Sequence, residues 1–425
     1  MRRPPRCFAL TAALGAAALA AAGMLAGPAA ARADDGEHQI VSSVEVRIGR
    51  FVRTDWTVQI GANPVNRFTM HRLVQGADER RFRAALLLLP PLGNGFNFFE
   101  VDENGVYDRS FAAFFASRGF AVWGYTPRGT GLVAGTCESS ALDCSPMAHW
   151  GLQAVVDDAA FIRGFMRGAM PRDGSGDLPV FVGGFSLGGI TTIATMNAHP
   201  GDYAGAMVLE GGLYSADPSI LALNAGFCVG LEAQLAAGQI FDDTTLPGIR
   251  GIAGLAASDP HGPTPLPGFP PGSTNHQVLV FLLAVPQVGP LWPTHDFVRC
   301  AGSVTEDRFF YSLDSRVIAH SVLFNDYVDN LTIRDISCSL GGERTFTGNL
   351  GAWQAPVYLL AGGLGFLAQE NDMVPLLGAA DVTRNFIAPF GHADHWFSPN
   401  HREILEGDIL SWLDRQLDGG DESGD

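Results

Sequence analysis

The chain has 425 residues, 47% of them hydrophobic and 17% charged, a balance that excludes a disordered polymer and leaves enough apolar side chain for a large core. The formal charge is −17, and all 27 basic residues are arginine. Such acidity argues against nucleic acid and against anionic lipid surfaces as partners.

Residues 1–33 have the plan of a cleaved signal peptide. Arg2, Arg3 and Arg6 supply a positive start, residues 8–25 an alanine- and leucine-rich stretch, and Ala31-Arg32-Ala33 a small-x-small cleavage site. The plan predicts a secreted, periplasmic or cell-envelope protein with no stable membrane anchor after cleavage. The mature chain, lacking Arg2, Arg3, Arg6 and Arg32, is then four units more negative. An exported protein can keep disulfides, and Cys137 and Cys144 flank a polar loop that closes into a small ring if they pair. Cys228, Cys300 and Cys338 allow at most one further intrachain pair, and which pair forms is open. Their spacing does not match a metal site, so no metal is expected.

Residues 40–48 and 56–60 alternate as strands, with 67–74 a candidate third. Residues 84–89 are entirely apolar, which marks a strand buried on both faces of a parallel sheet, and Pro90-Pro91-Leu92-Gly93 ends it. Helical spacing over 109–118 is followed by a buried strand at 120–125 and the turn Arg128-Gly129-Thr130-Gly131. A helix at 150–170, a strand at 180–182, a helix at 188–198 and a strand at 204–209 continue the alternation of a doubly wound sheet. The rhythm stops from about 211 to 353, where the chain is rich in proline and glycine, with helices expected at 221–238 and near 309–327. It resumes with a strand at 356–361, a helix near 374–380, a strand at 384–388 and an amphipathic helix at 402–417. The expected fold is therefore α/β, a doubly wound and mostly parallel sheet built from 34–210 and 355–417. An inserted, mainly helical cap occupies 211–354, and the acidic tail 418–425 is expected to be disordered.

Within this frame, Gly184-Phe185-Ser186-Leu187-Gly188 places a serine where a strand turns into a helix. Small neighbours let the two backbones pass, and the serine hydroxyl projects above the sheet edge. A glycine-rich turn with an incidental serine is the alternative. A serine needs a base, and His392 follows the last predicted strand in Gly391-His392-Ala393-Asp394-His395. His395 is read as structural or facing the cap, His149 ranks lower, and Asp394 is read as capping its loop. The acid is sought after the preceding strand. Asp372, followed by Met373-Val374-Pro375, is preferred, with Glu370 the near rival and Glu210 the distant one. Backbone N–H groups of Leu187 and Leu92, or of Gly93 in place of Leu92, would bind an oxyanion, since Pro90 and Pro91 have no N–H to offer.

The order Ser186, Asp372, His392, the turn after residue 125 and the Val374-Pro375 step together resemble the α/β-hydrolase superfamily over about 84–210 and 356–417. Two departures stand out. Pro90-Pro91 replaces the His-Gly usual before the oxyanion donor, and the 362–372 loop is longer than usual, which keeps Glu370 in play. The resemblance implies a serine hydrolase acting on small or lipid-like carboxylic esters, without a cofactor. Phe227, Leu231, Phe269, Leu282 and Leu291 are candidate pocket or lid residues. A peptidase or amidase, an acyltransferase, and a non-catalytic binding protein on the same scaffold are the alternatives. The oligomeric state is left open.

Overall fold

Short segments made only of apolar residues cannot tolerate water on either face, and they form the middle of the sheet. Ala84–Leu89, Val180–Phe185, Gly205–Leu209 and Val357–Gly362 are buried at every position. The structure is a computed structural model and describes residues 37–76, 82–101, 107–137, 139, 142–170, 178–284, 298 and 307–418. The expected signal peptide, Cys300, Leu291 and the last seven residues lie outside them.

In chain order the strands of the main sheet are β1 (His38–Ile48), β2 (Phe51–Ile60), β3 (Arg67–Gln75), β4 (Ala84–Leu89), β5 (Phe120–Thr126), β6 (Val180–Phe185) and β7 (Gly205–Leu209). A two-stranded ribbon follows, formed by β8 (Phe241–Asp242) and β9 (Val328–Asp329), before β10 (Val357–Gly362) and β11 (Val382–Ile387) complete the large sheet. The sheet order is β1-β2-β3-β5-β4-β6-β7-β10-β11. The first three strands join antiparallel to β5, and from β5 to β11 every pairing is parallel. Helices cover both faces. On one face Phe181, Tyr358 and Trp412 are buried together, and on the other Trp123, Ile193 and Trp353.

Between β7 and β10 the chain leaves the sheet for helices Pro218–Ala236, Thr245–Ser258, Asn275–Ala284, Asp314–Ser321 and Asn330–Leu340. Cys228 and Cys338 form a disulfide that ties the first of these helices to the last, and Cys137–Cys144 closes the small ring expected from the sequence. The first helix is long and apolar enough to span a membrane by length and composition, with Glu232 its one charged residue.

One local expectation is corrected. The helix after β10 is Leu367–Met373, and residues 374–376 form only a single tight turn around Pro375. Phe366, Glu370 and Met373 are buried at the i, i+4, i+7 spacing of a helix face, so the polar string expected to be loop is helical. Proline then stops it.

Candidate active site

Parallel strands end together at one edge of the sheet, and the site stands there. β6 runs into Ser186, whose φ of 60° and ψ of −118° lie in the left-handed half of backbone space, and helix Leu187–Ala198 starts at the next residue. The turn is possible because its flanks have no Cβ. A Cβ on Gly184 would lie 2.5 Å from the Leu89 carbonyl oxygen, and one on Gly188 would collide with that same atom. The Ser186 N–H donates to the Leu209 carbonyl at 2.9 Å, which fixes the turn to β7.

His392 comes from the loop after β11 and is fully buried. Its Nε2 is 2.8 Å from Ser186 Oγ. The ring stacks on Phe185 at 5.1 Å and tilts against Phe366 at 5.3 Å, so it has little freedom to turn away. The structure thus brings together the serine and histidine singled out from the sequence.

The acid beside them is different from the one expected. Glu210, the residue directly after β7, has its Oε2 3.3 Å from His392 Nδ1. It also accepts backbone N–H groups from Gly362 and, at 2.9 Å, from Phe366. Burial pushes its carboxyl up, but the contacts of His392 and His395 outweigh this and hold it down at about 2. An ionised carboxylate only accepts, so Nδ1 carries the ring proton and Nε2 is left to accept from the Ser186 hydroxyl. That is the arrangement through which a serine oxygen becomes a nucleophile.

Asp372 is turned away from this cluster. Its carboxylate accepts from the Ala216 N–H at 2.7 Å and from Ser215 Oγ at 3.2 Å, and so holds the start of the inserted segment. Glu370 is buried and accepts from the Gly211 N–H at 3.3 Å. Burial and the neighbouring Glu210 charge push its carboxyl well above the usual range, and it braces the turn after Glu210. The helical form of 367–373 is the reason. It points residue 370 inward and residue 372 outward, whereas a loop would have left both free to approach His392.

His395 Nδ1 lies 3.2 Å from Glu210 Oε1, so a second imidazole touches the same carboxylate. The sequence offered only its closeness to His392 as a signal for this contact. Asp394 caps its own loop as expected, accepting from Gly391 N–H at 2.8 Å and Ser312 Oγ at 2.7 Å. His149 is exposed in a short turn.

Leu92, Ser186 and Leu187 line one cavity of about 780 Å³. Leu187 N–H is at the start of a helix, where backbone donors lack partners within the helix and the dipole favours negative charge. Leu92 sits in a braced turn, its carbonyl accepting from Asn94 Nδ2 at 3.3 Å and the next carbonyl, of Gly93, from Asn325 N–H at 2.7 Å. The cavity walls are mainly apolar, with Leu231, Phe241, Ile249, Leu283, Phe324 and Phe397 from the inserted segment and the C-terminal loop. Of the candidate lid residues, Leu231 lines the cavity, while Phe269 and Leu282 pack against the core. Phe227 is half-buried on its helix and is not a wall residue. His320 also lines the cavity, and burial together with Arg316 holds its imidazole down at about 3, hence neutral.

Sheet order, strand-to-helix elbow and the position of the histidine loop define the α/β-hydrolase fold. A family model described as serine aminopeptidase, S33, matches residues 101–241, which include Ser186 and Glu210. No curated protein sequence matches the chain. Among solved structures, a Sulfolobus solfataricus protein provisionally described as a lipase superposes with a TM-score of 0.58 at 18% identity, covering 89% of this chain and 99% of that one, a likeness of fold. A thermostable carboxyl esterase from Bacillus coagulans is similar with a TM-score of 0.49 at 14% identity, covering 88% of this chain and 98% of that one.

Proposed function

We propose that the protein is a secreted serine hydrolase that cleaves carboxylic esters with a sizeable hydrophobic moiety through an acyl-enzyme. The observation that carries this is the 2.8 Å contact between Ser186 Oγ and His392 Nε2 at the floor of an apolar cavity. Ser186 Oγ attacks the ester carbonyl while its proton passes to His392 Nε2, and Glu210 stabilises the imidazolium through Nδ1–H. The oxyanion is received by the N–H groups of Leu187 and Leu92; losing one such donor typically costs about 3 kcal/mol in the barrier. Collapse breaks the ester C–O bond, and His392 returns the proton to the departing alcohol. Water then attacks the acyl-enzyme by the same route in reverse and releases the acid. The chemistry needs no cofactor. Asp372 is replaced in this scheme by Glu210.

Amide hydrolysis is the second reading. The description of the matching family supports it, and Asp242 and Asp243 on the cavity wall offer negative charge to a free amino terminus. Two measurements decide. A fluorophosphonate should label the wild type and leave Ser186→Ala unlabelled; equal labelling removes Ser186 from the mechanism. p-Nitrophenyl esters should be turned over faster than aminoacyl anilides, and the opposite preference would make the protein a peptidase. N-terminal sequencing of the exported protein should begin near Asp34.

A further inference from the structure

Strand β1 ends the sheet order, so one of its backbone edges pairs with β2 and no strand lies along the other among the described residues. Residues 39–47 are exposed along their whole length among the described residues. Val44 and Val46 are 56% and 44% exposed. An unpaired strand edge that also exposes Ile40, Val41, Val44 and Val46 is a template for another strand, and the charges of Glu45 and Arg47 restrict what can pair with it.

The hairpin geometry says which groups that edge presents. Ile48 pairs with Phe51 across the two-residue turn Gly49-Arg50. A two-residue turn is closed by a hydrogen-bonded pair, and such pairs alternate along an antiparallel ladder. The backbone groups of Val44 and Val46 therefore face β2, and those of Glu45 and Arg47 face the open edge. The register irregularity between Ile40 and Ser42 lies outside this stretch.

We propose that this edge pairs antiparallel with the same edge of a second copy, with the two-fold axis passing at Val46. In that register Glu45 and Arg47 exchange backbone hydrogen bonds with the partner's Arg47 and the partner's Glu45, and each charge meets its opposite. On the other face Val46 meets the partner's Val46, and Val44 meets the partner's Ile48. The charges select the register. An axis at Glu45 sets two carboxylates face to face, an axis at Arg47 sets two guanidinium groups face to face, and directly opposed like charges destabilise a ladder. A second copy is the occupant these residues favour, because the strand is complementary to itself.

The test is sedimentation velocity on the purified chain over a concentration series, with far-UV circular dichroism to confirm that each variant is folded. The wild type should dimerise. Glu45→Arg should weaken the dimer at least about tenfold, and adding Arg47→Glu should restore it to within about threefold, as exchanged charges require. Under mild oxidation Val46→Cys should crosslink two chains, because residues at the axis form a non-hydrogen-bonded pair with Cα atoms about 4.5 Å apart. Val44→Cys should not crosslink. A monomer at every concentration, a dimer indifferent to Glu45→Arg, a charge exchange that fails to restore pairing, or equal crosslinking at 44 and 46 would each overturn the proposal.

Discussion

Ser186 and Glu210 are the two non-glycine residues with positive φ among the described residues, at 60° and 56°. They terminate neighbouring strands, β6 and β7, and the Glu210 N–H is itself held by the Leu360 carbonyl at 2.8 Å. Backbone strain of about 1–3 kcal/mol per residue persists only where the surroundings over-determine the conformation, and here both strained residues serve one histidine. The role of Glu210 yields a direct prediction. Glu210→Gln keeps the shape but removes the charge that supports the imidazolium, and kcat should fall on the order of 10³-fold or more. Asp372→Asn and Glu370→Gln should each keep most of the activity, because one carboxylate faces Ser215 and the other the Gly211 N–H. Steady-state kinetics on a p-nitrophenyl ester compares the three, and a large loss for Asp372→Asn alone would restore Asp372 as the acid.

At the scale of elements, among the described residues one disulfide ties the first helix of the inserted segment to its last. Cys228 and Cys338 are 110 residues apart in sequence, whereas Cys137 and Cys144 are 7 apart. The loop-entropy argument assigns about 5 kcal/mol to the long closure and about 2 to the short one, with measured values commonly lower. Removing the first pair as Cys228→Ser/Cys338→Ser should therefore cost about twice as much stability as Cys137→Ser/Cys144→Ser in urea unfolding. The tied helices supply Leu231, Ile333 and Ile336 to the cavity wall, so the long-loop variant should also lose discrimination between short and long acyl chains. Equal stability losses would show that strain or residual structure, and not loop length, governs these bridges.

For the whole molecule, stability should fall in acid, and the sign follows from its buried histidines. His320 and His401 are each held down at about 3 in the folded protein, by burial first and by Arg316 next. An unfolded histidine takes up its proton near pH 6.5, so between about 6.5 and 3 the unfolded chain binds more protons and gains on the folded one. Asp329 acts in the opposite sense, since burial raises it to about 7. Comparing variants cancels these other groups. His320→Phe should remove up to one proton from the slope of stability against pH, about 1.4 kcal/mol per pH unit. Chemical unfolding at pH 7, 6 and 5 measures it, and an unchanged slope would mean that His320 is protonated in the fold.

Sequence alone determined the features that depend on local rules. Fully apolar six-residue runs become buried parallel strands, Gly184 and Gly188 mark the one turn tight enough to present Ser186, and a glycine turn after the last strand delivers His392. The same reading missed the acid, because three carboxylates follow strands and nothing local distinguishes them. Tertiary structure decided it. β7 lies beside β6, so a residue one position past β7 stands next to the Ser186 turn, while a helix face at 366, 370 and 373 turns Asp372 outward. Partnership across 182 residues of sequence is set by which strands pair and which way a helix rotates, and neither is written in the spacing of the residues themselves.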